Sequence, residues 1–338
     1  MSETFRATVL TGAGGPEKLE LRDFPVPEPG RGEIRVRVLA CGLGSTEVGT
    51  MRRGSYPFAP KVPFIPGYDI VGRVEALGEG VSGLAIGERV AALVVYGGFG
   101  EVLVRSAEEF IPVPEGLDAA EVTALILNYV SAWQMIERIA KPLPGQVALV
   151  TGANGGVGAA LLELLRRKGL RTLGLASAAR RDFVESLGAT WVESRRLPMV
   201  EALCLVAPEG VDVVFDAIGG ATSVECLRAT RRGGSLIGYG WMGTARGGRI
   251  STGLTLKTLW TVLATAPLSG RRGAFYGITA LYRRDPKPFR EDFASLLALL
   301  KAGELLPRIA ATLPLLEARR GIEMLEAGGL EGKLVLLA

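Results

Sequence analysis

The run Val147-Ala148-Leu149-Val150-Thr151-Gly152-Ala153-Asn154-Gly155-Gly156-Val157-Gly158 decides the fold. An apolar pentamer, VALVT, stops at a glycine cluster, and the cluster opens AALLELLRRKG, whose leucines recur at helical spacing. A strand, a glycine turn and a helix in that order are the context a dinucleotide fingerprint requires. Without side chains, Gly155 and Gly156 let backbone N–H groups approach a pyrophosphate. Gly152 serves the tight turn, Gly158 allows close packing of helix on strand, and Asn154 and Val157 complete the loop. A purely structural glycine turn is the competing reading.

The next strand, TLGLA, ends in Ser177-Ala178-Ala179-Arg180-Arg181. A carboxylate for the ribose 2′-hydroxyl is missing there, whereas a hydroxyl and guanidinium groups suited to a 2′-phosphate are present. Ser177, Arg180 and Arg181 therefore predict NADPH over NADH, against the alternative that the arginines are a solvated helix start.

Working outward, strand and helix alternate across residues 146–151, 156–168, 171–176, 179–187, 190–192, 211–216, 223–230, 235–239 and 274–279, the pattern of a doubly wound parallel sheet. Residues 240–253, rich in Gly, Arg, Ser and Thr, read as a loop bordering the crevice. Before them, residues 33–39, 71–76, 89–95 and 101–104 are short β runs separated by Gly and Pro, as in an antiparallel barrel-like domain. A helix at 119–139 follows; the tail predicts helices at 289–301 and 315–325 and a last strand, 333–337, that returns to the first domain.

Composition narrows the chemistry. Three cysteines, Cys41, Cys204 and Cys226, are too scattered for a disulfide framework or a CxxC cluster, so a reducing, cytoplasmic location is expected. Histidine is absent, which removes imidazole bases, Ser-His and Cys-His nucleophiles and His-ligated metals. Lys plus Arg, 39 against 35 acidic residues, are interleaved, so nucleic acid is not expected as a partner. The amino end lacks a signal-peptide pattern, and no run of about 18 apolar residues predicts a membrane span.

With these residues in view, the chain resembles the medium-chain dehydrogenase/reductase superfamily, specifically its zinc-free quinone oxidoreductase branch. The resemblance rests on FPVPEPGRGEIRVRVLACG (24–42), VPFIPGYDIVGRVEALGEGVSGLAIGERVAAL (62–93), GGFGEVLV (97–104), GANGGVG (152–158) and GKLVL (332–336). Residues 124–141 and 275–292 are similar to the vesicle amine transport protein-like group. The resemblance implies an α/β chain: a GroES-like β-barrel catalytic domain, residues 1–124 and 281–338, with a Rossmann domain, residues 125–280, inserted. It also implies a homodimer formed through Rossmann edge strands around residues 251–263 and 274–279. Zinc-dependent relatives place a catalytic Cys where this chain has Gly44 and a His-Glu pair where it has Tyr68-Asp69, so no zinc site is expected.

Hydride transfer to a plain ketone needs an acid or Lewis acid on the developing alkoxide, whereas a quinone or enone delocalises that charge within itself. The expected activity is thus NADPH-dependent reduction of a quinone or an α,β-unsaturated carbonyl. Tyr56 is the candidate proton or hydrogen-bond donor, because the corresponding loop in zinc-free relatives lines the cleft; a turn aromatic packed on Pro57 is the alternative. Tyr68 and Asp69 read as structural, and Cys41 as a small buried residue. Asn128, Ser131, Gly238, Tyr239 and Gly240 are placed beside the nicotinamide, although Asn128 reads equally as a buried helix contact. Gly44-Ser45-Thr46-Glu47 departs from the polar-residue-then-Asp pattern of many relatives, which keeps open a non-redox isomerase or cyclase and a non-catalytic NADPH-binding protein.

Overall fold

In the computed structural model, which describes residues 3–193, 198–240, 245–246 and 249–338, the chain divides into two units. One comprises Met1–Asn128 and Lys287–Ala338, the other Tyr129–Pro286. In chain order the first strands are β1 (Thr4–Leu10), β2 (Leu19–Pro25), β3 (Glu33–Leu43), β4 (Ile70–Leu77), β5 (Arg89–Ala92), β6 (Val102–Ser106) and β7 (Ile111–Pro112). Then come β8 (Val147–Thr151), β9 (Arg171–Ala176), β10 (Thr190–Glu193), β11 (Val211–Asp216) and β12 (Thr230–Gly238). β13 (Ala245–Arg246), β14 (Arg249–Ile250), β15 (Arg272–Phe275), β16 (Ile309–Pro314) and β17 (Lys333–Leu337) complete the set.

In the first unit β3 is the organising strand. Over residues 33–39 its even residues Ile34, Val36 and Val38 are fully buried and its odd ones half-exposed, which is the period of a strand with one face on a core; from Ala40 to Leu43 every residue is buried. β4 pairs antiparallel along one edge; the other is shared by β6, over Glu33–Arg37, and β17, over Ala40–Leu43. The expected return of the last strand is therefore realised, and it carries Lys333 into the interior beside Gly42. Ile34, Val36, Val38, Val90, Phe99, Phe110 and Leu336 belong to one core. Helix Lys287–Lys301 buries Phe289, Phe293, Leu296, Leu297 and Leu300, the three-and-four spacing of an amphipathic helix.

The second unit is a parallel six-stranded sheet in the order β10-β9-β8-β11-β12-β15. Counted from β8, that is 3-2-1-4-5-6, the doubly wound dinucleotide-binding order, with its switch point between β8 and β11. β8 and β11 are buried almost throughout, as central parallel strands covered on both faces must be.

Two expectations are corrected. Residues 251–263, expected as an edge strand, begin a helix, Thr252–Trp260, that Ser251 caps by accepting from the Leu254 N–H at 3.4 Å; helical turns continue to Leu268. Its Thr-Leu alternation mimics a strand, but the buried Thr258, Thr261, Val262 and Ala266 follow helical spacing. The edge strand itself is β15, ending at Phe275, and residues 278–279 already belong to helix Ile278–Arg284. Of the expected loop 240–253, residues 241–244 and 247–248 lie outside the described residues.

Candidate cofactor and catalytic sites

At the carboxyl end of β8, Gly152 adopts a left-handed φ of 63°, a conformation that favours glycine. Its carbonyl accepts from the Gly155 N–H at 3.0 Å, closing the turn around Asn154. A Cβ on Gly158 would lie 2.2 Å from the Gly152 oxygen, so only glycine lets the helix Gly156–Arg167 approach the strand this closely. That helix starts at Gly155 with no side-chain cap, and Gly155, Gly156 and Val157 are half-exposed. Its first N–H groups are left for an external acceptor, which an anion at a helix N-terminus satisfies.

Across the switch point stands Asp216, fully buried at the end of β11. Its carboxylate accepts from Thr151 Oγ1 at 2.9 Å, Ser223 Oγ at 2.6 Å, and the backbone N–H groups of Ile218 (3.0 Å) and Gly219 (3.2 Å). Thr151 Oγ1 in turn accepts from the Ala217 N–H at 2.9 Å. These bonds tie the ends of β8 and β11 together and fix the turn that follows β11. Sequence reading passed over Asp216 as a strand end; a buried acid closing an apolar run is the signal that marks it.

Gly238 ends β12, and a Cβ on Gly240 would sit 2.0 Å from the Ala217 oxygen, so the turns after β11 and β12 touch backbone to backbone. Between them, the Tyr239 hydroxyl is buried with no hydrogen-bond partner among the described residues. Burial, with Asp216 nearby, pushes its acidity far out of reach, so it is a neutral hydroxyl with an unmet need. The uncapped N–H groups and this orphaned hydroxyl at one end of one sheet fit a dinucleotide with an anionic middle and a polar ring. Ser131, buried, is in the same unit; Asn128, also buried, ends the first of the two stretches that make up the first unit.

At the end of β9, Ser177 is half-buried and its carbonyl accepts from the Arg180 N–H at 2.8 Å. Arg180 is half-buried. Arg181 is exposed, pairs with Glu185 at 2.8 Å and lies over the Trp191 ring at 5.3 Å. The guanidinium of Arg181 is engaged by its own helix and the neighbouring strand.

Tyr56 lies in the first unit, three residues beyond the helix Ser45–Arg53, which ends on left-handed Gly54. Its ring is half-buried, meets Tyr68 edge-on at 5.5 Å between centroids, and shares a hydroxyl–hydroxyl hydrogen bond of 3.0 Å. Burial, reinforced by Tyr56, pushes the Tyr68 hydroxyl up, so Tyr68 keeps its proton at neutral pH. Beside them Asp69 holds the buried Lys333 ammonium at 3.0 and 3.3 Å. Glu47, also buried, accepts from the Gly44 N–H at 2.9 Å and, chiefly through desolvation, is pushed up to about 7. Cys41 lies in the same interior; burial pushes its thiol up and leaves it un-ionised. Gly42 makes the room, since a Cβ there would stand 2.4 Å from both Asp69 Oδ1 and Lys333 Nζ. Among the described residues no group of three His, Cys, Asp or Glu side chains is placed to hold a metal, and no helix is long and apolar enough to cross a membrane.

Sheet order, glycine turn and uncapped helix define an α/β protein built to bind a dinucleotide beside a second, β-rich domain. Known proteins agree. Residues 30–115 match the alcohol dehydrogenase GroES-like domain and residues 187–336 the zinc-binding dehydrogenase family. The mouse synaptic vesicle membrane protein VAT-1 homolog-like is 30% identical over 342 residues, covering 99% of this chain and 82% of that protein. Human quinone oxidoreductase is 28% identical over 338 residues, covering 98% and 97%. The crystal structure of the human VAT-1 homolog-like protein aligns with a TM-score of 0.82 at 29% identity, covering 100% of this chain and 99% of that one. The chain belongs to the medium-chain dehydrogenase/reductase superfamily, in its zinc-free quinone oxidoreductase branch with the VAT-1-like proteins.

Proposed function

We propose that this protein is a zinc-independent reductase that uses NADPH to reduce a quinone or an α,β-unsaturated carbonyl. The observation that carries the reading is the uncapped glycine turn at the β8–β11 switch point, with the orphaned Tyr239 hydroxyl at the same end of the sheet. Charge supports it: residues 129–286 hold 20 Lys and Arg against 11 Asp and Glu, while the rest of the chain holds 19 against 24. An anionic cofactor is drawn to the basic unit.

When bound, NADPH supplies the hydride. The Gly152–Gly158 backbone would hold the pyrophosphate, and Ser177, Arg180 and Arg181 would receive the 2′-phosphate. Tyr239, Ser131, Asn128 and the backbone at Gly238 and Gly240 orient the nicotinamide carboxamide. Tyr56 donates a hydrogen bond or proton to the acceptor oxygen as negative charge develops, with Tyr68 bonded behind it. The donor set favours a conjugated acceptor: without histidine, and with two of three cysteines buried, charge is best stabilised within the substrate itself.

The same reading includes a cytoplasmic homodimer. Leu256, Trp260, Leu263 and Leu268 are 51–84% exposed on the helical segment beside the β15 edge, an apolar face suited to a second copy. The cofactor assignment is tested by fluorescence titration with NADPH and NADH. Arg180→Ala is expected to lower NADPH affinity about tenfold or more with little change for NADH, and Arg181→Ala to do less. An unchanged ratio in both variants overturns the 2′-phosphate assignment.

A further inference from the structure

The buried cluster of Lys333, Asp69 and Glu47 has no part in cofactor binding, yet it fills the interior behind the tyrosine pair. Lys333 is 3% exposed and Asp69 fully buried, although they lie 264 residues apart in sequence. Their side chains join three pieces of chain: strand β17, the loop that ends at Asp69, and β3, whose Gly42 N–H donates to the Asp69 carbonyl at 3.0 Å. Glu47 adds a fourth, the first turn of the helix Ser45–Arg53. That helix has Glu47 near its start and Tyr56 just past its end, and Tyr68 is the chain neighbour of Asp69. Both tyrosines thus hang from elements that the cluster fixes.

We propose that Lys333 is the positioning charge of the tyrosine pair: its ammonium, bonded to Asp69, sets Tyr68 against Tyr56, and Glu47, buried in the same interior without a bond to the ammonium, holds the cluster's one exchangeable proton. This rests on the reading of Tyr56 as the group that faces the acceptor, but its first test does not use turnover.

Two carboxylates and one ammonium leave a net negative charge in a water-poor interior, which is costly unless one carboxyl keeps its proton. Asp69 accepts two hydrogen bonds from the ammonium, so it is the better anion; Glu47 spends an oxygen on the Gly44 N–H and takes the proton. The charged and titratable groups around Glu47 are Lys333 from β17, Asp69 and Tyr68 from the loop before β4, and Cys41 from β3. Lys333 pulls its titration down and Asp69 pushes it up. On the outer side of the helix Arg52 pairs with Glu326 at 2.5 Å.

The test is a pH titration of the full-length protein carrying 13C-labelled glutamate and tyrosine side chains, followed by NMR. Wild type is expected to show one glutamate, absent from Glu47→Gln, with a midpoint near neutrality. The Tyr68 ring carbon should move with the same midpoint and stay still in Glu47→Gln. Asp69→Asn should lower the glutamate midpoint, Lys333→Met should raise it by about one pH unit or more, and Lys333→Arg should restore it. A purely structural lysine predicts no opposed shifts. A Glu47 midpoint in the ordinary carboxylate range, no response of Tyr68, or equal midpoints in wild type and Asp69→Asn would each overturn the proposal. Should Lys333→Met not fold, Asp69→Asn and Lys333→Arg decide it. Loss of NADPH binding in an independent titration would sink the reductase reading and leave this one standing.

Discussion

Asp216 and Asp69 are both fully buried carboxylates, one in each unit, and they are accommodated in opposite ways. Asp216 is surrounded by neutral donors, two hydroxyls and two backbone N–H groups, all from residues at the ends of β8 and β11 or just beyond. Asp69 is matched by an ammonium brought from the far end of the chain. Neutral donors meet the Asp216 carboxyl group without adding a second charge. An ion pair with a second acid beside it is a balance of charges, and it responds when any one of them is changed.

The sharpest way to break that comparison is to remove one partner from each hub. Lys333→Met strands two acids in the interior and is expected to cost about 3–5 kcal/mol in urea unfolding, most of it recovered by the double variant Lys333→Met/Asp69→Leu, which removes the charge with its partner. Asp216→Asn turns one acceptor oxygen into a donor facing Thr151 or Ser223 and is expected to cost about 2–3 kcal/mol in the same assay. A Lys333→Met loss that the double variant fails to recover would erase the distinction between the hubs.

A smaller effect sharpens it. The folded-state titration of Glu47 is raised, so its contribution to stability is full below the ordinary carboxylate range and is lost as pH rises through about 7. Wild type should therefore lose stability relative to Glu47→Gln between pH 5 and pH 8, measured by denaturant midpoint at each pH. A constant difference would show that Glu47 titrates normally.

The same contrast explains what the sequence disclosed. The glycine turn was legible because its whole meaning lies within twelve consecutive residues, Val147 to Gly158, and the strand and helix on either side obey their own periods. Tyr56 could be singled out, but its partner Tyr68 could only be read as structural, since nothing local says that the two hydroxyls meet. Lys333 stood in plain view within GKLVL, yet its pairing with Asp69 is set by the register of β17 on β3 and leaves no trace in either segment. The helix after Ser251 was misread for a related reason: Thr-Leu alternation favours a strand, and packing of Thr258 and Val262 against the second unit's core overrides it.

The most direct test of the account is nicotinamide oxidation followed by absorbance, with NADPH or NADH and a panel of quinones and enones, for wild type and Tyr56→Phe. The account predicts turnover with NADPH preferred and, in Tyr56→Phe, a kcat about a hundredfold lower with cofactor affinity unchanged. Tight NADPH binding with no oxidation of any acceptor would contradict the reductase and favour a non-redox catalyst or a cofactor-binding protein, and failure to bind either nucleotide would contradict the site itself.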